Sequence, residues 1–435
     1  MPKYFGTDGI RGKAFVDLTV DMAYRVGQSL KSSLNTKTLI IGCDTRESSD
    51  ELLNSVAKGA MSTGVNVINS GVVPTPLIAY ISTLKSITGV MITASHNPYH
   101  DNGIKVFNKG LKLKLDEELK IEEFIDNDIE LDLATEGSIT TDENNVILYK
   151  ELFNSIGLAK TSFNVGIDSA NGANYLLAKE ILGPLCNKLV QVGKNPTGTN
   201  INAKVGSTYL ETIKAVVKDN KLDFGLSFDG DGDRVLLVDQ DSKTIDGDEL
   251  IYIIASYLKS INKLNRNTVV LTSMSNLGII KSFERLGIKV VLTDVGDKYV
   301  LEEMIKHGYS IGGENSGHII LRDYLNTGDG LLVGAFLIKI LNDTKMSFKE
   351  LMADITMFPQ KMVNIKTTDK SVIKQLDVLK LIVNTKARWG NNGKVLIRAS
   401  GTEPLVRITL SYKDEEVLDN KMNEFIDLIN KLKEE

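Results

Sequence analysis

Short apolar runs rich in β-branched residues alternate with helix-period segments along most of this sequence. The run 38–44 predicts a strand, and the segment 48–64 that follows it predicts a helix. The same order returns with a strand at 163–172 and a helix at 173–183. Such alternation is typical of mixed, largely parallel sheets flanked by helices, so it predicts an α/β fold.

The pattern changes after Phe358, where three strand-like runs precede a closing, charge-rich amphipathic helix. This order predicts a smaller C-terminal α+β domain. The length of 435 residues is too great for one ordinary core. Breaks near 150, 250 and 365 divide the chain, and a segment at 126–145 rich in Asp, Glu and Thr predicts an exposed connection. The predicted domains are 1–150, 151–250, 251–363 and 364–435, of which the first three are α/β and the last is α+β.

Composition places the chain among soluble globular proteins and narrows its partners. A net charge of -5 argues against a general nucleic-acid binder. The two cysteines, Cys43 and Cys186, have neither metal-site spacing nor a disulfide framework, which indicates a reducing cytoplasm. The N-terminus lacks the apolar core of a signal peptide, and the apolar stretches 251–258 and 330–341 are too short to span a membrane. These stretches predict buried helices.

The densest chemical signal is the run DGDGDR at 229–234, directly after a predicted strand. Its carboxylates Asp229, Asp231 and Asp233 alternate with glycines and can converge on one hard cation such as Mg²⁺. An EF-hand fits poorly, because Arg234 and Gln240 stand where that loop needs Gly and Glu. An acidic turn and a phosphatase with an aspartyl nucleophile stay open as alternatives.

A second motif, TASHNP at 93–98, also follows an apolar strand. The hydroxyl of Ser95 at a strand end is well placed as a nucleophile or phosphate carrier, provided that a base or a metal activates it. Lys105, a few residues on, could act as general acid/base if neighbouring cations lower its pKa. Alone, the motif is more typical of a turn, and the aspartate loop is what favours the chemical interpretation.

Two further motifs indicate ligand contacts. The run GGENSGH at 312–318 offers Glu314, Ser316 and His318, groups that suit a polyhydroxylated ligand, although a lone histidine is more often a packing residue. The run RASGTEP at 398–404, followed by Arg407, predicts a phosphate-binding turn, with an incidental surface turn as the alternative.

The loop GTDGIRG at 6–12 carries Arg11, which could stabilise charge on a transferring phosphoryl group, unless this loop is merely a flexible start. For Asp44-Thr45-Arg46, between a strand and a helix, we favour a helix-capping role. No glycine-rich dinucleotide or Walker-type motif occurs at a strand end, so nucleotide binding lacks support.

Together and in this order, the motifs resemble those of the α-D-phosphohexomutase superfamily, and the resemblance covers nearly the whole chain. It implies four domains with the active site in a central cleft, a single Mg²⁺ and a phosphoserine. The substrate would be a small phosphosugar, handled by a monomer or homodimer without nucleic-acid or membrane partners. Within the superfamily the motifs are most similar to the amino-sugar branch, and a mannose or glucose phosphate is the alternative. An Asn315 in place of the Gln more usual in that branch retains an amide.

The resemblance also assigns roles to individual residues. It implies that Ser95 carries the phosphoryl group, that its phosphate binds the metal with Asp229, Asp231 and Asp233, and that Lys105, Arg11 and Arg234 surround the transfer site with His318 as a further catalytic candidate. It implies that Glu314, Ser316 and His318 contact the sugar, and that Arg398, Ser400, Gly401, Thr402 and Arg407 hold the phosphate that does not react.

Overall fold

A computed structural model describes residues 2–127, 136–400 and 404–434. The chain divides into two compact units. The larger unit comprises Met1–Ser273 and Val291–Leu351, and the smaller unit comprises Met274–Val290 and Met352–Glu435.

The first sheet is mixed and belongs to the larger unit. Its strands are β1 (Phe5–Gly6), β2 (Gly9–Lys13), β3 (Thr38–Cys43), β4 (Asn66–Val72), β5 (Thr88–Ile92), β6 (Asp101–Asn108), β7 (Leu111–Lys112) and β8 (Ile139–Thr141), and the helices of this segment are α1 (Val20–Leu34), α2 (Ser49–Ser62), α3 (Thr75–Lys85), α4 (Leu115–Asp126) and α5 (Asn144–Asn154). The order is β1-β2-β6-β5-β3-β4-β8, with β7 beside β6. The strands β5, β3, β4 and β8 are parallel, and β6 joins β5 antiparallel.

Helices α1 and α2 pack with their backbones close together. A Cβ at Gly27 would lie 2.1 Å from the carbonyl oxygen of Val56, and a Cβ at Gly59 would lie 2.0 Å from that of Tyr24. The close approach of the two helices therefore requires glycine at both positions.

The second sheet has parallel strands at one side and a hairpin at the other. It contains β9 (Asn164–Asp168), β10 (Lys188–Val192), β11 (Phe224–Phe228), β12 (Val235–Asp239) and β13 (Thr244–Ile245), with α6 (Leu177–Leu182) and α7 (Glu211–Asn220) between them. The order is β10-β9-β11-β12-β13. Since β11 is parallel to β9 and antiparallel to β12, the loop 229–234 is the turn of the β11–β12 hairpin.

The third sheet lies between two long buried helices in the sequence. This segment contains α8 (Gly247–Ser260), β14 (Thr268–Thr272), α9 (Leu277–Arg285), β15 (Lys289–Thr293), α10 (Asp297–His307), β16 (Ile311–Gly313), β17 (Ile319–Leu321), α11 (Gly330–Thr344) and α12 (Phe348–Leu351). The strand order is β15-β14-β16-β17, with β14 parallel to β16 and β17 antiparallel to β16. Most residues of α8 and α11 are buried, which confirms the prediction of buried helices at 251–258 and 330–341. Across residues 2–127, 136–400 and 404–434, no helix combines the length and the hydropathy needed to cross a membrane.

The smaller unit is built on an antiparallel sheet covered by helices. It contains β18 (Gln360–Lys366), α13 (Leu376–Trp389), β19 (Gly393–Ala399), β20 (Leu405–Tyr412) and α14 (Glu415–Glu434). The central strand β20 pairs antiparallel with both neighbours. The amide of Asn276 binds Phe358 through both backbone polar groups, which ties the segment carrying α9 to this unit.

The predicted fold class is confirmed: three mixed α/β sheets precede a small α+β region. Antiparallel strands extend the parallel centre of each of the first three sheets, because short hairpins add strands without a crossover helix.

The predicted helix at 173–183 begins later, at Leu177. Ala170 and Asn171 have φ of 54° and 49°, and the Asp168 carboxylate accepts a hydrogen bond from the Ala170 N–H at 2.9 Å. This side-chain-to-backbone bond follows the end of β9 at Asp168, and the Ala173 N–H donates to the Gly230 carbonyl at 2.8 Å, so the loop extends into the start of the predicted helix.

Only part of the segment 126–145 is the exposed connection that the sequence predicts. Its residues 139–141 form β8, an exposed strand beside β4, and residue 144 begins α5. Residues 128–135 lie outside the described part of the chain.

We expect Phe425→Ala to lower the free energy of unfolding of the smaller unit by about 3–5 kcal/mol, since the ring is fully buried and its loss leaves a cavity. Trp389, the single tryptophan, is buried and stacks on Tyr412 at 4.6 Å between ring centroids, so its fluorescence during urea unfolding reports on this unit. The control is Val417→Ala on the exposed face of the same helix, expected to change the free energy by under about 0.5 kcal/mol. Equal effects of the two substitutions would contradict the assignment of this core.

Candidate active site

Ser95 lies in the loop after β5 and contacts the aspartate loop directly. Its Oγ donates a hydrogen bond to Asp229 Oδ2 at 2.6 Å, across 134 residues of sequence. The residue is fully buried and adopts a φ of +52°, in the left-handed region that residues other than glycine seldom occupy. Its backbone N–H donates to Thr93 Oγ1 at 2.9 Å. Two motifs that the sequence analysis singled out are therefore brought together.

The three aspartates form one buried acidic cluster. Carboxylate oxygens of Asp229, Asp231 and Asp233 all lie within 4.8 Å of one another. Burial, followed by the repulsion of Asp233 and Asp231, raises the pKa of Asp229 well above its usual value. Among the described atoms, one oxygen each of Asp231 and Asp233 makes no hydrogen bond. Buried carboxylates with unsatisfied oxygens fit a hard divalent cation, so this loop could hold a metal ion.

Lys105 bridges the aspartate loop and the N-terminal loop. Its Nζ lies 2.8 Å from Asp231, 2.9 Å from Asp233 and 3.0 Å from Asp8. Burial lowers the pKa of Lys105, but the three carboxylates outweigh burial and raise it well above its usual value. The protein groups around Lys105 therefore do not meet the condition stated for a general acid/base role, which was a pKa lowered by neighbouring cations. Arg11 acts in that direction, and its effect is smaller than that of the carboxylates.

A second line of charged groups lies behind Lys105. Lys112 Nζ lies 2.7 Å from Asp8 and 2.5 Å from Asp297. His318 Nε2 lies 3.2 Å from Asp297 and 3.8 Å from Asp233. No role was predicted from the sequence for Asp8, Lys112 or Asp297. The neighbourhood of Arg11 could have indicated Asp8, whereas nothing around Lys112 in sequence marks it out.

Two arginines flank this cluster. Arg11 forms an ion pair with Asp8, and the Nε of Arg234 lies 3.8 Å from Asp233. Burial lowers the pKa of Arg234, but the carboxylates around it, Asp233 first, raise it above its usual value. Glu314 is one of those carboxylates. Arg234 thus remains cationic beside the aspartate loop.

The predicted sugar loop is the turn between β16 and β17, and it adjoins the aspartate loop. An isolated bridge pairs His318 with Arg234, and the Val235 N–H donates to the Gly317 carbonyl at 3.1 Å. Gly317 has a φ of +91°, and a Cβ there would lie 2.3 Å from the Val235 carbonyl oxygen, so this turn requires glycine. Glu314 and Ser316 are half-buried on the same turn, and Glu314 accepts a hydrogen bond from a backbone N–H at 3.1 Å.

The predicted phosphate-binding residues lie in the smaller unit. Arg398 on β19 is directly opposite Arg407 on β20, so the two side chains start from one face of the sheet. Ser400 is buried, and its carbonyl accepts a hydrogen bond from Lys370 Nζ at 2.6 Å. Lys370 is a cation that the sequence analysis missed, because 30 residues separate the two. Gly401 and Thr402 lie outside the described residues.

A buried serine hydrogen-bonded to a three-aspartate loop, within mixed α/β sheets, defines a phosphohexomutase-like protein. Four domain families match the chain in order: Phosphoglucomutase/phosphomannomutase, alpha/beta/alpha domain I at 2–132, domain II at 148–243, domain III at 246–358 and the C-terminal domain at 362–428. The chain therefore belongs to the phosphoglucomutase/phosphomannomutase family, and it is an enzyme of the phosphohexomutase class. The resemblance stated from the motifs is confirmed.

Comparison with individual proteins shows which members of the family the chain resembles. The chain is 40% identical to a phosphoglucosamine mutase of Streptococcus gordonii over 99% of this chain and 98% of the relative. It is 41% identical to a phosphoglucosamine mutase of Carboxydothermus hydrogenoformans over 99% of this chain and 100% of the relative. Among solved structures, a phosphoglucomutase/phosphomannomutase family protein from Burkholderia thailandensis has a TM-score of 0.82 at 22% identity, covering 100% of this chain and 98% of the other. That likeness shows the fold.

We expect Lys112→Met to lower the free energy of unfolding by about 3–5 kcal/mol, because it leaves two buried carboxylates without their shared cation. The measurement is urea unfolding followed by circular dichroism. The matched control is Lys150→Met, which removes an exposed pair with Glu180 of a kind that contributes about 0–1 kcal/mol. Similar losses for both variants would show that the buried network does not depend on Lys112.

Proposed function

We propose that the chain acts as a phosphoglucosamine mutase, which interconverts glucosamine 6-phosphate and glucosamine 1-phosphate through a phosphorylated Ser95. The observation that carries this proposal is the 2.6 Å contact between Ser95 Oγ and Asp229 in the buried acidic cluster. An aspartyl phosphatase would need no serine at this place. The choice of glucosamine is supported by the relatives that are 40–41% identical over nearly the full chain.

The reaction passes one phosphoryl group at a time. The bond between phosphorus and Ser95 Oγ breaks while phosphorus forms a bond to a hydroxyl oxygen of the hexose monophosphate. The proton of that hydroxyl goes to a base, Ser95 Oγ takes up a proton, and the sugar product is the 1,6-bisphosphate. The bisphosphate then reverses its orientation in the site. Its other phosphoryl group is transferred to Ser95 Oγ, and the isomeric monophosphate leaves. Lys105 and His318 are the two candidates for the proton transfer.

In this scheme, catalysis depends mainly on cationic side chains around the phosphoryl group. Phosphoryl transfer goes through a loose transition state that needs positioning and charge neutralisation. Arg11, Arg234 and Lys105 supply three cationic side chains close to the aspartate loop. These side chains stabilise negative charge on the oxygens of the moving phosphoryl group.

The proposed cation is Mg²⁺, one for each active site. Asp229, Asp231 and Asp233 would hold it together with a phosphate oxygen on Ser95, which is the oxygen-rich ligand set that Mg²⁺ prefers. When bound, the cation neutralises charge on the phosphoryl group. The three carboxylates are otherwise balanced in part by Lys105.

Substrate contacts are proposed in two groups. Glu314, Ser316 and His318 on the β16–β17 turn offer a carboxylate, a hydroxyl and an imidazole to the sugar. The phosphate that does not react is assigned to the residues of the smaller unit and the turn that follows β19: Arg398, Ser400, Gly401, Thr402 and Arg407. The guanidinium groups suit this task, because they donate in pairs to phosphate oxygens.

The domain limits 1–150, 151–250, 251–363 and 364–435 are part of this proposal. A cytoplasmic location is proposed as well, since both cysteines are buried free thiols. The partner is a phosphosugar, and the assembly is a monomer or homodimer.

We expect Ser95→Ala to abolish interconversion, because no oxygen remains to carry the phosphoryl group. Intact-mass analysis of the purified wild-type protein should show a fraction with one added phosphate, and this species should disappear in the variant. Ser155→Ala removes a hydroxyl that bonds only within its own helix, and it should keep both the phosphate and the activity. Wild-type turnover by Ser95→Ala would refute the phosphoserine mechanism.

We expect glucosamine 6-phosphate to give a higher kcat/KM than glucose or mannose 6-phosphate in a coupled assay. The Glu314 carboxylate and the Asn315 amide can bond to an ammonium or hydroxyl group at the sugar. Equal or better turnover of mannose 6-phosphate would assign the chain to phosphomannomutase/phosphoglucomutase activity with the same mechanism.

A further inference from the structure

One guanidinium group binds most of the loop that carries Ser95. Arg46, in the loop after β3, donates from Nη2 to the carbonyl oxygens of Ser95 and Asn97, both at 2.9 Å. Its Nη1 donates to the carbonyl oxygen of Asp101 at 3.0 Å and to that of Pro98. The Arg46 side chain is fully buried. A planar group with donors fixed in two directions thus satisfies four backbone acceptors within seven residues.

Asp44 holds this arginine from the other side. Its Oδ2 accepts from Arg46 Nε at 2.9 Å and from Thr93 Oγ1 at 2.6 Å, and its Oδ1 accepts from Ser49 Oγ at 2.9 Å. Since Thr93 Oγ1 in turn accepts from the Ser95 N–H, the N–H and the carbonyl of Ser95 are both fixed through one buried ion pair. Such a pair, with its remaining donors and acceptors satisfied, is rigid.

This rigidity matters because Ser95 has a left-handed backbone. A residue other than glycine at a φ of +52° is strained and keeps that conformation only where its surroundings impose it. A second donor, the side-chain amide of Asn202, lies 2.9 Å from the Ser95 carbonyl oxygen and 3.1 Å from that of Asn97. Arg46 and Asn202 therefore fix the same carbonyl from two parts of the larger unit.

We propose that Arg46, oriented by Asp44, is a positioning residue for phosphoryl transfer. By binding the Ser95 carbonyl it imposes the left-handed conformation that directs Oγ at Asp229. It contacts neither the reacting oxygen nor the acidic cluster, and it acts through the backbone of the loop that carries Ser95. This inference rests on the proposed function, because phosphoryl transfer by Ser95 is what would require the strained conformation.

A helix-capping role alone does not account for these contacts. The Arg46 N–H donates to Asp44 Oδ1 at 3.1 Å, but α2 begins at Ser49 with Ser48 at its N-cap and without a side-chain capping hydrogen bond, so the capping role that the sequence favoured is wrong. The bond from the Arg46 N–H uses only the backbone of Arg46, and any residue could provide it. The buried guanidinium instead points at carbonyl oxygens of the Ser95 loop.

The test compares Arg46→Gln with Arg25→Gln. Arg25 also binds backbone carbonyls, those of Ile125 and Asn127, without touching the Ser95 loop. We expect Arg46→Gln to lower kcat by about 100-fold, since displacing a reacting group by about 1 Å costs that much. The KM for the sugar phosphate should change little, because sugar contacts are kept. Arg25→Gln should retain wild-type kcat.

Rescue separates positioning from mere stability. Millimolar guanidinium should restore part of the kcat of Arg46→Ala, because it can refill the fork between Asp44 and the loop, and equal concentrations of sodium chloride should not. Arg46→Lys should recover less than guanidinium, since an ammonium cannot donate in both directions. Failure of guanidinium to raise kcat above the salt control would count against the inference.

If Arg46 variants do not fold, Asn202→Gly provides the second measurement. Glycine accepts the φ of +58° at this half-buried site while losing the amide, so kcat should fall with KM unchanged. Wild-type kcat in Arg46→Gln, or in Asn202→Gly where Arg46 variants are unfolded, overturns the inference. Such a result together with an inactive Ser95→Ala leaves the proposed function intact, whereas an active Ser95→Ala overturns the proposed function itself.

Discussion

The larger unit is organised around negative charge that is buried at one point. Three carboxylates within 4.8 Å of one another would repel strongly in a region that water does not reach. The surrounding structure supplies the compensation, with Lys105 on two of the carboxylates and the hydroxyls of Ser95 and Thr75 on Asp229 and Asp231. Each of these donors comes from the first sheet or its helices, while the carboxylates come from the second. The acidic loop therefore fixes how the two sheets meet.

Removing such charges from water costs free energy. A second set of ion pairs, farther from the aspartate loop, offsets part of this cost. Asp8 and Asp297 share Lys112, and Asp8 also faces Lys105. Positive and negative groups alternate outward from the aspartate loop, so no single pair has to neutralise it. Such an arrangement adds little to stability, because the attraction within a buried ion pair barely exceeds the free energy lost on desolvation. It does set the distances between the reacting groups.

Much of the fold could be predicted from the sequence, because local signals agree with the tertiary structure. Buried strands and helices such as 38–43 and 330–344 have unmistakable patterns, and glycine-rich loops at strand ends marked the aspartate and sugar loops. What pairs with Lys105 could not be predicted, since its three partners come from distant positions and reverse the sign of the expected pKa shift. Arg46 was undervalued for a related reason: its contacts are to backbone carbonyls, which leave no trace in sequence.

The glycine contact between α1 and α2 has a consequence for how the chain tolerates change. A single methyl group at Gly59 meets the Tyr24 carbonyl at 2.0 Å and has to wedge the two helices apart. The helix α2, which such a methyl group would displace, begins at Ser49, and the Ser49 hydroxyl binds Asp44, the carboxylate that orients Arg46. The contact between α1 and α2 is thus connected through Ser49 and Asp44 to Arg46. A substitution in this contact, remote from any ligand, can therefore affect the position of Ser95.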